Sequence, residues 1–259
     1  MTRVNQSLLW ECKVLFSKKL KGLIQDTLRR LGYQIVRFRP DAEKDFGWLR
    51  NHRIASVLDV GANEGQFASE IIRIFPDAQV YCFEPLREAC ERLVSRFGKS
   101  QNFTFFNVAV GDITGEMPIH KNEFSPASSL LGMQPMHVTA FPYTKHETVD
   151  SARVERLDNL LKSLQIEPPV LLKVDVQGYE ARVLRGANKT VANASVILVE
   201  CNFQEMYEGQ SKFEEIYEYL IQRDFVFKGC FDTLKDPRDG LVLQGDLIFV
   251  KTDLFSTHE

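Results

Sequence analysis

Apolar residues along this chain fall into short runs separated by segments of helical spacing. The run Ile54–Leu58 ends in Asp59 and a glycine loop; Phe67, Ile71, Ile72, Ile74 and Phe75 then recur at the period of a helix. A second run, Val80–Phe83, ends in Glu84. This order predicts a βαβ unit with its ligand-facing loop at the carboxyl end of the first strand. The pattern goes on to predict a helix over 86–97, a strand over 103–108, a turn over 111–115, a short strand over 148–154 and a helix over 157–164. It then predicts a buried strand over 170–174, a helix from Tyr179, a strand over 195–199, a helix over 211–223 and closing strands over 225–228 and 246–251. Such alternation predicts a parallel sheet covered on both faces. The last two strands have no helix between them and are expected to pair antiparallel. Residues 121–146, rich in Pro, Ser, Met and His, read as a loop, a length uncommon unless it covers a site or is mobile.

Ahead of this series, Leu8, Leu9, Cys12, Leu15, Phe16, Leu20, Leu23, Ile24, Leu28 and Leu31 recur at helical spacing, with Gly32 as a stop. Residues 1–40 hold nine Lys/Arg against Glu11 and Asp26, about +7, so the remainder carries about −10. Residues 1–50 therefore read as a basic amphipathic extension before a domain over 51–255. Its basic face is either solvated or drawn peripherally to an anionic membrane surface.

The loop Asp59-Val60-Gly61-Ala62-Asn63-Glu64-Gly65 and the acid Glu84 about 20 residues beyond it point to a ligand with a ribose. A dinucleotide fingerprint would need glycines where Asn63 and Gln66 stand, and a P-loop would need Lys-Ser/Thr where Gln66-Phe67 stands. The loop carries Asp59 and Glu64 and no Lys or Arg. A pyrophosphate about 4 Å from such a carboxylate costs roughly 1 kcal/mol in water and nearer 4 at an effective dielectric of 20. S-adenosylmethionine has no phosphate and carries an ammonium and a sulfonium, so it fits the acidic loop.

Composition sets the outer bounds. With 259 residues, 44% hydrophobic and 26% charged, the chain is an ordinary globular α/β domain with an appendage, and its net charge of −3 gives no indication of nucleic-acid binding. Cys12, Cys82, Cys90, Cys201 and Cys230 are scattered and never in a Cys-x-x-Cys pair, which reads as reduced and buried thiols. No apolar run approaches a membrane span, and Glu11 and Lys13 interrupt any signal core, so a cytoplasmic location is expected.

The ordered motifs identify a family. Asp59-Val60-Gly61-Ala62-Asn63-Glu64-Gly65 is followed by Phe83-Glu84-Pro85, then by Ala109-Val110-Gly111-Asp112 with Gly115, Ser128-Ser129-Leu130 and Leu157-Asp158. Leu172-Lys173-Val174-Asp175-Val176-Gln177-Gly178-Tyr179-Glu180 and Leu184-Arg185-Gly186-Ala187 complete the set. Over residues 55–251 the chain resembles the FkbM family of S-adenosylmethionine-dependent methyltransferases. The resemblance implies a Rossmann-like class I methyltransferase fold: a seven-stranded, mostly parallel sheet with an antiparallel last strand and helices on both faces. It also implies methylation of a hydroxyl on a sugar, glycan, glycolipid or related metabolite. Gln177 stands where the family also accepts Glu, and Tyr179 is bulkier than the Ala often found there.

Roles follow by position. Asp59, Gly61, Asn63 and Gly65 are expected at the methionine end of the donor, Glu84 at the ribose hydroxyls, and Asn107 to Ala109 at adenine. Asp175, at a strand end beside the reacting methyl, is the first candidate for the base that deprotonates or orients the acceptor, with Glu180 and Glu200 second. Glu180 reads equally as a first-turn acid facing the helix dipole. Ser128, Ser129 and His137 are candidate acceptor contacts, with His120 and His146 in or beside the same loop. No ligand pair has metal-site spacing, so no metal is expected. A nicotinamide-dependent oxidoreductase and a non-catalytic adenosine-ligand module docking at membranes are the competing readings.

Overall fold

The computed structural model describes residues 47–252. The amphipathic segment 7–31, nearly all of the extension 1–50 and the end of the expected domain lie outside the described residues. The described chain opens on a 3-10 turn, Gly47–His52, and Leu49 in it is already part of the core.

The main sheet is built from β1 (Ser56–Val60), β2 (Gln79–Phe83), β3 (Phe103–Phe106), β7 (Val170–Val174), β8 (Val196–Asn202), β9 (Phe225–Lys235) and β10 (Val242–Lys251). Its strand order is β3-β2-β1-β7-β8-β10-β9, with β10 antiparallel to both neighbours and the other pairings parallel. This is the sheet expected from the sequence, including its reversed last strand. A second sheet, absent from that reading, joins β4 (Ala109–Val110), β6 (Glu147–Glu155) and β5 (Gly115–Asn122) in the order β4-β6-β5.

Burial on both faces explains the unbroken apolar runs of the central strands. Val57, Leu171, Val196 and Leu198 pack with Ala68, Ile71 and Ile74 of α1 (Gln66–Ile74) and Leu93 of α2 (Arg87–Phe97). Alternate residues Leu58, Leu172, Ile197 and Val199 pack on the other face with α5 (Glu180–Gly186), α6 (Asn188–Asn193) and α7 (Phe213–Ile221). Two short helices, α3 (Pro135–Ala140) and α4 (Leu157–Leu160), complete the set.

Several boundaries differ from the sequence reading, each for a local reason. The third strand stops at Phe106 rather than 108: the Asn107 amide donates to the carbonyls of Glu84 and Pro85, and Ala109–Val110 turn away to pair with β6. The stretch read as a loop over 121–146 holds the end of β5, two 3-10 turns and α3. The closing strands run longer than expected, to Lys235 in β9 and from Val242 in β10, and β9 is an edge strand, mostly exposed, with register shifts against β10. That exposure includes Cys230, contrary to the buried reading; Cys82, Cys90 and Cys201 are buried, and all four are free thiols. No helix among the described residues is long and apolar enough to cross a membrane.

Candidate active site

A cavity of about 500 Å³ opens at the carboxyl edge of the main sheet. One end is the glycine loop. Gly61 adopts φ +81°, and a Cβ there would sit 1.7 Å from the Asp175 carbonyl oxygen, so the β1 and β7 loops can close up only on glycine. Gly65, at φ +82°, faces Phe97 and Leu93 of α2 in the same way and turns the chain into α1 without bordering the cavity. Asn63 takes a left-handed φ of +46°, a conformation asparagine tolerates. Its backbone N–H thereby reaches Glu84 Oε2 at 2.8 Å, while Leu86 N–H donates to Oε1 at 2.8 Å. Burial pushes the Glu84 carboxyl up to about 7 against the pull of these two N–H groups. Ala109 borders the cavity and Asn107 braces it from behind.

The floor is a row of ionic and amide groups on one face of the sheet. Asp59, fully buried, lies across from Lys173 in the β1–β7 register, and the Lys173 ammonium is 3.5 Å from Asp59 Oδ1. The same ammonium donates to Asp175 Oδ2 at 3.1 Å and sits 5.5 Å from the centre of the Phe67 ring. Burial opposes its charge, but the Asp175 and Asp59 carboxylates outweigh that and hold Lys173 above the ordinary lysine range. Neither Asp59 oxygen receives a well-formed hydrogen bond, and burial raises this carboxyl against the pull of Lys173.

Gln177, at φ +56°, joins the row together. Its amide nitrogen donates to Asp175 Oδ1 at 2.9 Å and to Glu200 Oε2 at 2.8 Å, and its oxygen accepts from the Tyr207 hydroxyl at 2.8 Å. The tyrosine thus fixes which way the amide points, and two carboxylates share one donor group. Glu200 also accepts from Gln244, and burial lifts its carboxyl well above the usual range, with Asp175, Glu180 and Asp246 adding to the rise. Asp246, directly across from Glu200 in the β8–β10 register, completes the row.

The structure brings Gly61, Asn63, Glu84, Ala109, Asp175, Glu200, Ser128, Ser129 and His137 to one cavity, while Asp59, Gly65, Asn107 and Glu180 stand behind its walls. Glu180 Oε1 accepts from the N–H groups of Val176 and Gly178, so this carboxylate clamps the loop that carries Gln177. Ser129 Oγ donates to the Gln177 carbonyl and accepts from Leu131 N–H, and Ser128 Oγ accepts from Asn122 N–H; both serines hold the loop in shape. His137 is buried edge-on against Tyr207, with burial lowering it to about 4, so it borders the cavity as a neutral ring. His120 pairs with Glu147 and, like His146, lies off the cavity.

Sequence reasoning gave no role to Lys173, Gln177, Gln244 or Asp246. A signal was present for Lys173, a charge inside the apolar strand Val170-Leu171-Leu172-Lys173-Val174 and two residues from Asp175, hence on the same face. Among the described residues, no group of His, Cys, Asp and Glu is arranged to hold a metal ion.

These pKa shifts give the protein a characteristic pH response. Burial raises Glu84 and Asp246 to about 7 and also raises Glu180 and Glu200. The folded state therefore holds protons that the unfolded chain releases above its ordinary carboxylate range, and stability falls as pH rises from about 4.5 to 7. His137 works the other way, adding stability as pH rises from about 4 to 6.5, but it is one group against five, since burial raises Asp59 as well. The thermal midpoint of the ligand-free protein is expected to be about 5 °C or more higher at pH 5 than at pH 7.5 by calorimetry. A midpoint rising over that interval would show that these carboxyls titrate normally.

A glycine-opened first loop, an acid ending the second strand and a 3-2-1-4-5-7-6 order of the main-sheet strands define a Rossmann-like class I methyltransferase. Residues 59–227 match the methyltransferase FkbM domain, and the chain belongs to that family. It is 30% identical over 178 residues to the 2-O-methyltransferase NoeI of Sinorhizobium fredii, covering 66% of this chain and 72% of that one. It is 26% identical over 146 residues to the hexuronic acid methyltransferase AglP of Haloferax volcanii, covering 56% of this chain and 54% of that protein's length. Among solved structures, a FkbM methyltransferase from Methylobacillus flagellatus aligns with a TM-score of 0.48 at 14% identity, over 76% of this chain and 44% of that one. Aeropyrum pernix fibrillarin, solved with bound S-adenosyl-L-methionine, aligns at 0.43 and 15% identity, over 77% and 67%.

Proposed function

We propose that this methyltransferase uses S-adenosylmethionine and methylates a hydroxyl of a sugar or glycan-linked acceptor. The observation that carries the reading is the charge of the cavity: Glu70, Glu84, Asp175, Glu200 and Asp246 border it, against Lys173 as the one Lys or Arg among the described residues there. Burial keeps part of this set protonated near neutrality, and a cationic donor favours its ionised forms, whereas a pyrophosphate would find no cation but the already paired Lys173, which also speaks against a nicotinamide cofactor. When bound, the donor supplies a methyl carbon activated by a sulfonium. Glu84 would accept hydrogen bonds from the ribose hydroxyls, the Gly61–Asn63 backbone would face the methionine end, and Ala109 would border the base. At the far end the carboxylates and amides of Asp175, Gln177, Glu200 and Gln244 offer a polyhydroxylated acceptor several acceptors and donors at once. Phe124 and Tyr143, exposed and edge-to-face at 5.3 Å, border the same cavity and present apolar faces to the C–H side of a sugar ring. NoeI is by its name a 2-O-methyltransferase and AglP a hexuronic acid methyltransferase; the first supports oxygen as the acceptor atom and the second a carbohydrate.

The charge balance narrows the acceptor. Lys173 is already paired with Asp59 and Asp175, so a uronate carboxylate would enter uncompensated negative charge, at roughly 4 kcal/mol for a pair 4 Å apart at an effective dielectric of 20. Labelled methyl transfer onto matched neutral and uronic methyl glycosides tests this, with kcat/KM expected to favour the neutral sugar by about tenfold or more. Absence of transfer to any carbohydrate hydroxyl would overturn the function, and preference for the uronate would overturn the charge argument.

A further inference from the structure

The carboxylates of the cavity are unequally occupied. Glu84 receives the N–H groups of Asn63 and Leu86 at the donor end. Asp175 is held by Lys173 on one oxygen and Gln177 on the other, and Glu200 by Gln177 and Gln244. Glu70 is exposed on α1. Asp246 differs from all of these: it borders the cavity from the middle of β10, half-buried, and no hydrogen-bond donor among the described residues reaches its carboxylate. A carboxylate that lines the cavity with no protein donor on it is free to take a proton or a hydrogen bond from a ligand.

We propose that Asp246 is the group that accepts the proton of the acceptor hydroxyl, while Asp175, Gln177 and Glu200 orient that acceptor. The assignment rests on the sugar-hydroxyl reading above. In the step it serves, the hydroxyl proton passes to an Asp246 carboxylate oxygen as the acceptor oxygen's lone pair forms the bond to the methyl carbon. The methyl–sulfur bond breaks with its electron pair left on sulfur, and the proton on Asp246 is later released to water.

Its surroundings suit the task. Burial and the Asp175 charge push the Asp246 carboxyl up to about 7, Lys173 opposes them, and Asp232 adds to the rise. The groups facing it are Lys173 on β7 and Asp175 directly after that strand, Glu200 on β8, and Asp232 and Cys230 on β9. A base poised near neutrality combines a useful ionised fraction with a strong pull on the proton.

The test uses the full chain, saturating S-adenosylmethionine and a mixture of neutral methyl hexopyranosides, with release of S-adenosylhomocysteine as the readout. Asp246→Asn is expected to lower kcat by about 10² or more, to keep donor affinity within about threefold, and to abolish the acidic limb of kcat/KM near pH 7; Asp246→Glu should restore part of the rate and the limb. Asp175→Asn should move the limb to lower pH rather than remove it, because it takes away a neighbouring negative charge. In protein free of ligands, labelled with ¹³C at aspartate carboxyls, the resonance that disappears in Asp246→Asn should titrate near 7. Normal turnover with an intact limb in Asp246→Asn, or a resonance titrating in the ordinary aspartate range, would overturn Asp246 as the base and leave the acceptor class standing. A wild-type protein that binds the donor and methylates none of the sugars would overturn the acceptor class and the base together.

Discussion

Replacing Lys173 with methionine is expected to destabilise the ligand-free protein by about 3–5 kcal/mol, the usual consequence of stripping one partner from a buried ion pair. Methionine keeps the length and apolar stem that pack beside Phe67, so the change isolates the charge. What it leaves behind is Asp59, fully buried, with neither oxygen well hydrogen-bonded and its one nearby cation among the described residues gone. Asp175 loses less, since it is partly exposed and retains the Gln177 amide. For a domain of this size the loss corresponds to a fall in thermal midpoint of roughly 6–20 °C. Adding Asp59→Asn to Lys173→Met should recover more than half of the loss, because the buried charge and its missing partner then leave together. Chemical denaturation of the single and double variants checks this; a loss below about 1 kcal/mol in Lys173→Met would mean the pair behaves as an exposed one.

Glu84→Gln should weaken S-adenosylmethionine binding by about tenfold to a hundredfold. The carboxylate is expected to make charge-assisted hydrogen bonds to both ribose hydroxyls, worth roughly 1.5–3 kcal/mol. Glutamine has a single acceptor oxygen, and Asn63 and Leu86 already present two N–H groups to this side chain. The pH dependence separates this role from a structural one. With the carboxyl raised to about 7 by burial, wild-type affinity should increase as pH rises from 6 to 8, and the Gln variant should lose that slope. Calorimetry giving the same affinity and slope in a folded Glu84→Gln protein would place the ribose elsewhere.

The donor end of the cavity was legible because its parts are close in sequence and each has a local signature. Gly61 and Gly65 occupy turns that an added Cβ would obstruct, and Glu84 ends the next strand. The acceptor end was only half legible. Asp175 and Glu200 could be named as strand-end acids, but Gln177 was set aside, and nothing local says that its amide joins them or that Tyr207 aims it. Asp246 stood at the boundary of an expected strand; the strand in fact begins at Val242, which places Asp246 inside it and opposite Glu200. Of the second sheet only β6 was legible, as the short strand over 148–154; β5 was missed because it is a mostly polar segment without the apolar run that marked the others, and β4 because it is two residues long.

By itself, the sequence determined the central strands of the main sheet and the motifs that mark the family, because strands buried on both faces must be apolar along their whole length and a tight loop against a neighbouring backbone must be glycine; the count of seven came with the family resemblance, and the reversed final strand from the absence of a helix before it. Only the tertiary structure decided the chemistry of the cavity floor. The pairing of Asp59 with Lys173, and of Glu200 with Asp246, depends on cross-strand register between segments far apart in the chain. Register is set by how the whole sheet packs, and a polar residue on such a strand has the same local pattern whether it faces solvent, a partner or a substrate.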